Sequence, residues 1–454
     1  MEKPVRRPRK PPTKPVFLEG SLLRHILVMT GTGAVGLMAV FLGDLANIFF
    51  LGRLGDEAIV AAVGYASSIQ FLTISIGIGM AIGATALVAP ALGAGQRRLA
   101  RRFSVNAHAW TFVVSSILAL VVWCAISPLL SLLGACERTH QLGVSYLSIL
   151  VPSLPLLSLG MTSSAVLRSV GDARRAMYVT LLGAITNALL DPILIFGLKL
   201  GIEGAAIATA LSRIVILATG LYGVIAVHGL IARLRLKDMV SDAVPLAAVA
   251  LPAVLTNVAT PFANAYVTRA MAQFGDSAVA GWAIIGRIMP VAFGAIFALS
   301  GSIGPIVGQN YGGGAYQRMR EAFTLSLWVT VAFTLFAWMV LAVLAQPLTH
   351  VFLASGDAER LILLFCRWLA PLFAFLGALF VSNAVFNTLR RAHVSTMLNW
   401  GRATIGTIPF VMLGAKYAGD DGVLAANMMG GIVFGVIAVV LCYRLMNRVS
   451  SELM

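Results

Sequence analysis

Leu54-Gly55-Asp56-Glu57-Ala58 returns 220 positions later (275 minus 55) as Phe274-Gly275-Asp276-Ser277-Ala278. The match is not isolated. Gly93-Ala94-Gly95 answers Gly312-Gly313-Gly314, and Gly201-Ile202-Glu203-Gly204 answers Gly419-Asp420-Asp421-Gly422 at a displacement of 218 (422 minus 204). One register with small gaps therefore runs through both halves of the chain, which is the mark of an internal duplication.

What is duplicated follows from composition. Hydrophobic residues make up 59% of the 454 positions and charged residues 11%, too apolar and too weakly charged for a soluble core. Charged and Gly/Pro-rich breaks divide the chain into twelve apolar stretches at 24–52, 57–80, 104–133, 143–168, 176–198, 203–231, 244–273, 276–306, 320–345, 360–389, 394–416 and 421–446. Each is long enough to cross ~30 Å of hydrocarbon as a helix. A barrel would instead show short alternating segments. The expectation is an all-α membrane protein with twelve transmembrane helices in two six-helix lobes. An even number of spans per lobe makes both enter the bilayer in the same direction, related by a pseudo-twofold axis along the membrane normal.

Charge sets orientation. Of 33 Lys and Arg residues, 23 fall on the side that holds residues 1–24 and every second loop, and five fall on the other. The excess places both termini in the cytoplasm of a bacterial inner membrane. Because the basic residues are spread over many loops, the net charge of +15 reads as topology and not as a nucleic-acid surface. Residues 1–20 are expected to be a disordered basic tail, 21–231 the N-terminal lobe, 232–243 a cytoplasmic linker, 244–446 the C-terminal lobe and 447–454 a second tail. Cys124, Cys136, Cys366 and Cys442 show no CxxC spacing, so neither a disulfide framework nor a metal site is indicated.

Chemistry is expected where charge survives inside the apolar runs. Asp44 and Asp191 are the carboxylates that lie deep in them, and each carries an insertion cost of at least ~2.5 kcal/mol. Counted from the outer helix ends, Asp44, Asp191 and Thr209 lie at depths of about 12, about 10 and about 9 Å. They form one layer in the outer half of the N-terminal lobe. Asn187 shares a helix face with Asp191, and Asn47 shares one with Asp44. This oxygen-rich set, Asp44, Asn47, Asn187, Asp191 and Thr209, is a candidate site for a proton, or for Na+ on Asp44, Asn187, Asp191 and Thr209. Structural alternatives exist for each. Asp191 precedes Pro192 and could cap a kink; Asp44 could pair with Arg269 or Arg287; Thr209 and Asn47 could simply join helices. The C-terminal lobe has Asn264 where the repeat would place a partner for Asp44, and Ile408 before Pro409 where the first lobe has an acid before Pro192. The ion site is thus confined to the N-terminal lobe, with Asn264, Arg269 and Arg287 as cavity or inter-lobe residues. Prolines 252, 261, 290, 305, 371 and 409 give the second lobe places to bend.

These residues resemble the multidrug and toxic compound extrusion family over about residues 20–446. The resemblance is carried by Phe-Leu-Gly-Arg-Leu-Gly-Asp-Glu-Ala at 50–58, Leu-Arg-Ser-Val-Gly-Asp-Ala-Arg at 167–174, Asn187-Ala-Leu-Leu-Asp191-Pro192, Gly-Ile-Glu-Gly-Ala-Ala-Ile-Ala-Thr at 201–209 and Gly308-Gln309-Asn310-Tyr311-Gly312. The branch it looks most like is that of the DNA-damage-inducible F proteins. The resemblance implies a two-lobed antiporter that expels amphipathic, usually cationic compounds in exchange for protons or sodium, with Asn187, Asp191 and Thr209 in the ion site. Two departures stand out. Where the family carries its first-helix acid, five residues before Gly52, this chain has Asn47, with Asp44 one turn earlier as a substitute. The first helix also lacks the family's bend-forming proline and has Gly31 and Gly33 nearby.

The expected function is secondary antiport of a small amphipathic molecule by alternating access, in a monomer that needs no cofactor beyond its coupling ion, proton or sodium. Its partners are that cargo and the lipid bilayer, with no nucleic acid. The alternative is a flippase or exporter of a lipid-linked or anionic metabolite, favoured if Arg269, Arg287 and Arg402 line the cavity. An intramembrane enzyme that binds magnesium diphosphate would need a second acidic cluster beside Asn187-x-x-x-Asp191, and the sequence has none. The Gly-rich turns at 93–95 and 312–314 lack the Lys-Ser/Thr of a phosphate loop.

Overall fold

The computed structural model describes residues 15–452, so the first 14 residues of the expected basic tail lie outside it. Long apolar segments become helices because a bilayer leaves backbone N–H and C=O groups no partner but each other. The spans are α1 (Leu22–Gly52), α2 (Glu57–Gly93), α3 (Arg97–Cys124), α4 (Glu137–Val170), α5 (Ala173–Gly197) and α6 (Gly201–Val227) in the first half. In the second half they are α7 (Leu236–Phe274), α8 (Asp276–Gly312), α9 (Tyr316–Val351) and α10 (Asp357–Thr388), then α11 and α12 within Ala392–Ser451. Ala418 and Gly419 leave helical geometry and part α11 from α12. The twelve expected segments are all present, six to a half.

Helix ends differ from the expected ones for local reasons. Arg97 to Arg102, read as loop from their charge, form the first turns of α3. A short helix, Ile126–Leu132, takes up the end of the third apolar run. The predicted linker 232–243 is helical from Leu236 onward, and α12 continues through most of the expected tail at 447–454. Of the prolines in the second lobe, Pro245, Pro252 and Pro261 lie inside one continuous helix. The sharp bend, 50°, falls in α8 just after Pro290. There Phe293 is fully buried and stacks on Phe373 with centroids 4.0 Å apart.

The hydrophobic cores show how the lobes meet. One core, with Leu51, Ile59, Tyr146 and Ile202, belongs wholly to the first lobe; another, with Val267, Trp282, Phe365 and Val423, belongs wholly to the second. Both sit at the end away from the termini. At the opposite end the cores are mixed. Leu22, Ile26 and Met29 of α1 pack with Ile303, Phe323 and Met446, and Leu246 and Ala250 of α7 pack with α2, α3 and α4. The molecule is closed where its termini lie, with each lobe closing its own core at the far end.

The repeat reappears as a symmetric contact at the closed end. A Cβ on Gly93 would strike the backbone of Gln309, and a Cβ on Gly312 would strike the backbone of Pro90. Those residues correspond by the repeat, 93 to 312 and 90 to 309, so the crossing of α2 and α8 is self-complementary about the pseudo-twofold axis. Here glycine is required because two helix backbones touch. Gln309 also donates to Ser169 O at 2.7 Å and accepts from the Phe17 N–H at 2.9 Å.

From Pro15 the expected disordered tail is ordered. Val16–Leu18 form a 3-10 turn, Phe17 is 1% exposed, and Arg318 donates to the carbonyls of Phe17, Glu19 and Gly20. The inter-lobe connection is tied down in the same way. Arg102 holds Asp242 with two hydrogen bonds at 2.9 and 2.7 Å, Asn106 adds a third at 2.6 Å, and Trp110 donates to Met239 O.

Candidate functional site

The site is built where α1 and α5 lie side by side in the first lobe. Gly36 permits this approach, since a Cβ there would collide with Thr180 Oγ1. Further along, Asn47 on α1 donates its Nδ2 to Asp191 Oδ2 at 3.1 Å. Asn187, one turn before Asp191 on α5, donates to the same oxygen at 3.0 Å. Asp191 has no solvent exposure and Asn47 8%. The other carboxylate oxygen, Asp191 Oδ1, is buried without a partner, as is Asn187 Oδ1.

This geometry bears on each expected site residue. Asn47, Asn187 and Asp191 come together. Asp44 stands one turn from Asn47, exposed, with no hydrogen bond or ion pair to Asp191 among the described contacts. Thr209 Oγ1 donates to Ala205 O on its own helix at 3.0 Å and makes no bond to the Asp191 cluster. The capping alternative for Asp191 is not seen either, because among the described residues the hydrogen bonds to its carboxylate come from amide side chains and none from backbone N–H. Past Pro192 the helix widens into a π turn, Ile193–Gly197, the usual way a helix absorbs a residue that cannot continue its hydrogen-bond ladder.

In the second lobe, Asn264, Arg269 and Arg287 are exposed. Among the described residues no ion pair joins either arginine to Asp44. Arg402 is 7% exposed and donates to Thr260 Oγ1 at 3.2 Å.

Arg213, Gln70 and Tyr146 went unmarked in the sequence. Arg213 of α6 is 3% exposed and donates to Leu150 O at 3.1 Å, Ser153 Oγ at 2.8 Å and Gln70 Oε1 at 3.1 Å. Tyr146 of α4 is buried in the core of the same lobe. The signal that could have found Arg213 is its place: an arginine in mid-helix, far from either end of α6.

Comparison with known proteins fits this architecture. The family described as MatE matches residues 34–193 and 252–413, one block in each lobe. A protein named FAD transporter from Shewanella oneidensis is 32% identical over 441 residues, covering 96% of each chain. The multidrug export protein MepA of Staphylococcus haemolyticus is 23% identical over 445 residues, also 96% of each. The crystal structure of the Vibrio cholerae MATE transporter VcmN in the bent form superposes with a TM-score of 0.88 at 25% identity, covering 94% of this chain and 98% of that one. Proteins of this kind are multi-pass membrane transporters and not enzymes. With both repeats matched, and a relative of this identity aligned along nearly its whole length, the chain belongs to the multidrug and toxic compound extrusion (MATE) family.

Proposed function

We propose that this protein is a secondary antiporter of the bacterial inner membrane, both termini cytoplasmic, that exports small amphipathic molecules as a proton or sodium ion enters. The observation that carries the reading is the buried Asp191 carboxylate, with two amide donors on one oxygen and none on the other. A carboxylate in a membrane lobe without a cationic hydrogen-bond partner is costly, and ion loading relieves that cost. Ion occupancy at α1 and α5 then biases which end of the molecule is open. The closed end described above lies on the cytoplasmic side by the distribution of Lys and Arg, so the state described is the one that faces outward. No organic cofactor enters the cycle.

Cargo charge has two readings. Asp44, exposed and without an ion pair among the described residues, is available to an amphipathic cation, as the sequence resemblance implies. Arg269 and Arg287, exposed on the opposite lobe, favour an anionic metabolite instead, and the Shewanella relative is named for the transport of one. Energetics separate them. A proton entering under ~100 mV and a tenfold gradient supplies about 2.3 plus about 1.4 kcal/mol. Exchange for a monovalent cation cancels the electrical part, whereas export of an anion adds to it. Efflux from proteoliposomes, measured side by side for ethidium and for flavin adenine dinucleotide with and without a membrane potential, tests the reading. Efflux of either that follows an imposed ion gradient supports antiport, and the cargo that moves fixes its charge. Gradient-independent leakage of both contradicts it.

A further inference from the structure

Residues 15–20 lead into α1 of the first lobe, but the side chains that grip their backbone come from the second. The Phe17 N–H donates to Gln309 Oε1 at 2.9 Å, and Asn310 Nδ2 donates to Phe17 O at 3.3 Å. Arg318 of α9 spans three carbonyls, with Nε on Phe17 O at 3.0 Å and Nη2 on Glu19 O and Gly20 O at 3.0 and 2.6 Å. Leu18 lies over Gly313, where a Cβ would come within 2.7 Å of its Cδ2. The segment also touches its own lobe. Val16 sits over the turn between α4 and α5, where a Cβ on Gly171 would be 3.1 Å from Val16 Cβ. Gln309 meanwhile donates its Nε2 hydrogen to Ser169 O of the first lobe at 2.7 Å. Phe17 fills a core made by Ala173 on one side of the seam and Ile303 and Phe323 on the other.

The connection between the lobes repeats this arrangement with the roles exchanged. It leads into α7 of the second lobe, and arginines of α3 in the first lobe hold it: Arg101 donates to Ile231 O at 2.8 Å and Arg102 to Asp242 Oδ1 at 2.7 Å. Because α3 and α9 are the third helices of their repeats, each lobe's lead-in is clasped by the third helix of the other. One difference separates the two. The connection joins the lobes covalently and persists through any motion, whereas residues 15–20 hold the second lobe by hydrogen bonds and apolar contact alone.

We propose that residues 15–20 are a bolt across the closed end: seated, they hold the lobes together there, and they leave the second lobe before that end opens. The chemistry suits a reversible hold. The planar guanidinium of Arg318 fixes the geometry of the carbonyls it spans, and the Phe17 ring keeps water from the amide bonds beneath it. Once the ring leaves, water replaces each of those bonds at small net cost. The proposal rests on the alternating access of the reading above and on none of its ion chemistry.

Opening is read without ion or cargo, as the rate at which a soluble maleimide labels single introduced cysteines in the full-length protein, over the background of its four native cysteines. Two reporters are needed. Val307→Cys lies in the core that holds Phe17. Leu246→Cys lies in the other core shared by the lobes, which the bolt does not enter, at a position 3% exposed and packed on Gly83 of α2. Phe17→Ala and Arg318→Gln, each folded and monodisperse, should raise the labelling rate about tenfold at both reporters. Arg320→Gln removes a neighbouring cation that stacks on Tyr443 and should leave both rates unchanged. A gain at Val307→Cys alone would be local loosening around the missing ring and would overturn the proposal. So would unchanged rates in either bolt variant, or an equal gain in Arg320→Gln. Faster labelling in Gly93→Ala, with no gain in the bolt variants, would leave alternating access standing and remove the bolt alone.

Discussion

Asp191 accepts two N–H donors on a single carboxylate oxygen, and each donor is separately removable. Asn187→Ala should withdraw one of them at a cost of about 1–3 kcal/mol to the charged form. The proton is then bound more firmly, and the pH dependence of transport should move upward by about one unit, read as initial rate against pH in proteoliposomes. Asp172 gives a second residue-level test, outside the membrane. It caps α5, accepting from Arg175 N at 3.1 Å and lying 2.7 Å from His228 Nε2. Burial alone would raise its carboxyl, but the bonds from His228 and Arg175 outweigh that and hold it well below the usual carboxylate range. A group depressed on folding adds stability above its unfolded value, and that stability is lost as pH falls toward the folded one. Asp172→Asn should therefore melt below wild type at pH 7, and the gap should close as the pH drops below about 4. A gap that stays constant with pH would show that the charge is not involved. The sequence displayed Asp191 and Asn187 because a local i, i+4 spacing and an apolar context suffice to mark them. It hid Arg213, whose acceptor Gln70 is 143 positions away, since no local pattern reports a bond of that reach. Thr209 shows the reverse failure: depth placed it in the layer, but its hydroxyl turned to its own helix, as mid-helix threonines commonly do.

Helix spans were readable from hydropathy alone, because the bilayer imposes a length that no other signal mimics. Their ends are not, because a run of charge at a boundary is equally compatible with loop and with the first turns of a helix. Arg97 to Arg102 are helical since their guanidinium groups reach the linker carbonyls of His228 and Ile231 and the carboxylate of Asp242, contacts that exist only after the chain has returned. Junctions between helices carry their own requirements. Gly204, inside the motif at 201–209, faces the Leu194 carbonyl of the π turn below Asp191, and a Cβ there would come within 2.8 Å of it. Gly204→Ala should push α6 away from that turn and cost about 1–3 kcal/mol, seen as a lower melting temperature in detergent. Gly52→Ala, with open space around its Cβ position, should leave the melting temperature unchanged.

The two lobes meet through a contact that the duplication makes twice. Because Gly93 and Gly312 each lie against the other repeat's backbone, neither tolerates a side chain while the terminal end is closed. Gly93→Ala and Gly312→Ala should shift the population toward molecules open at that end. A cysteine introduced at Val307, fully buried at the seam, should then react faster with a soluble maleimide than in the parent background. An unchanged rate would mean that the crossing relaxes without opening. The duplication itself stood in the sequence, and so did the lobe architecture it implies. Which end is closed did not, because it depends on which cores the two lobes share.

Ion loading at Asp191 is the centre of the proposed mechanism, and transport under separately imposed gradients reports on it most directly. In proteoliposomes bearing a pH gradient alone, a sodium gradient alone or neither, wild type should drive cargo efflux with one of the two gradients and not in their absence. Asp191→Asn, folded and monodisperse, should lose that drive. Undiminished gradient-driven efflux in Asp191→Asn would contradict the account at its centre.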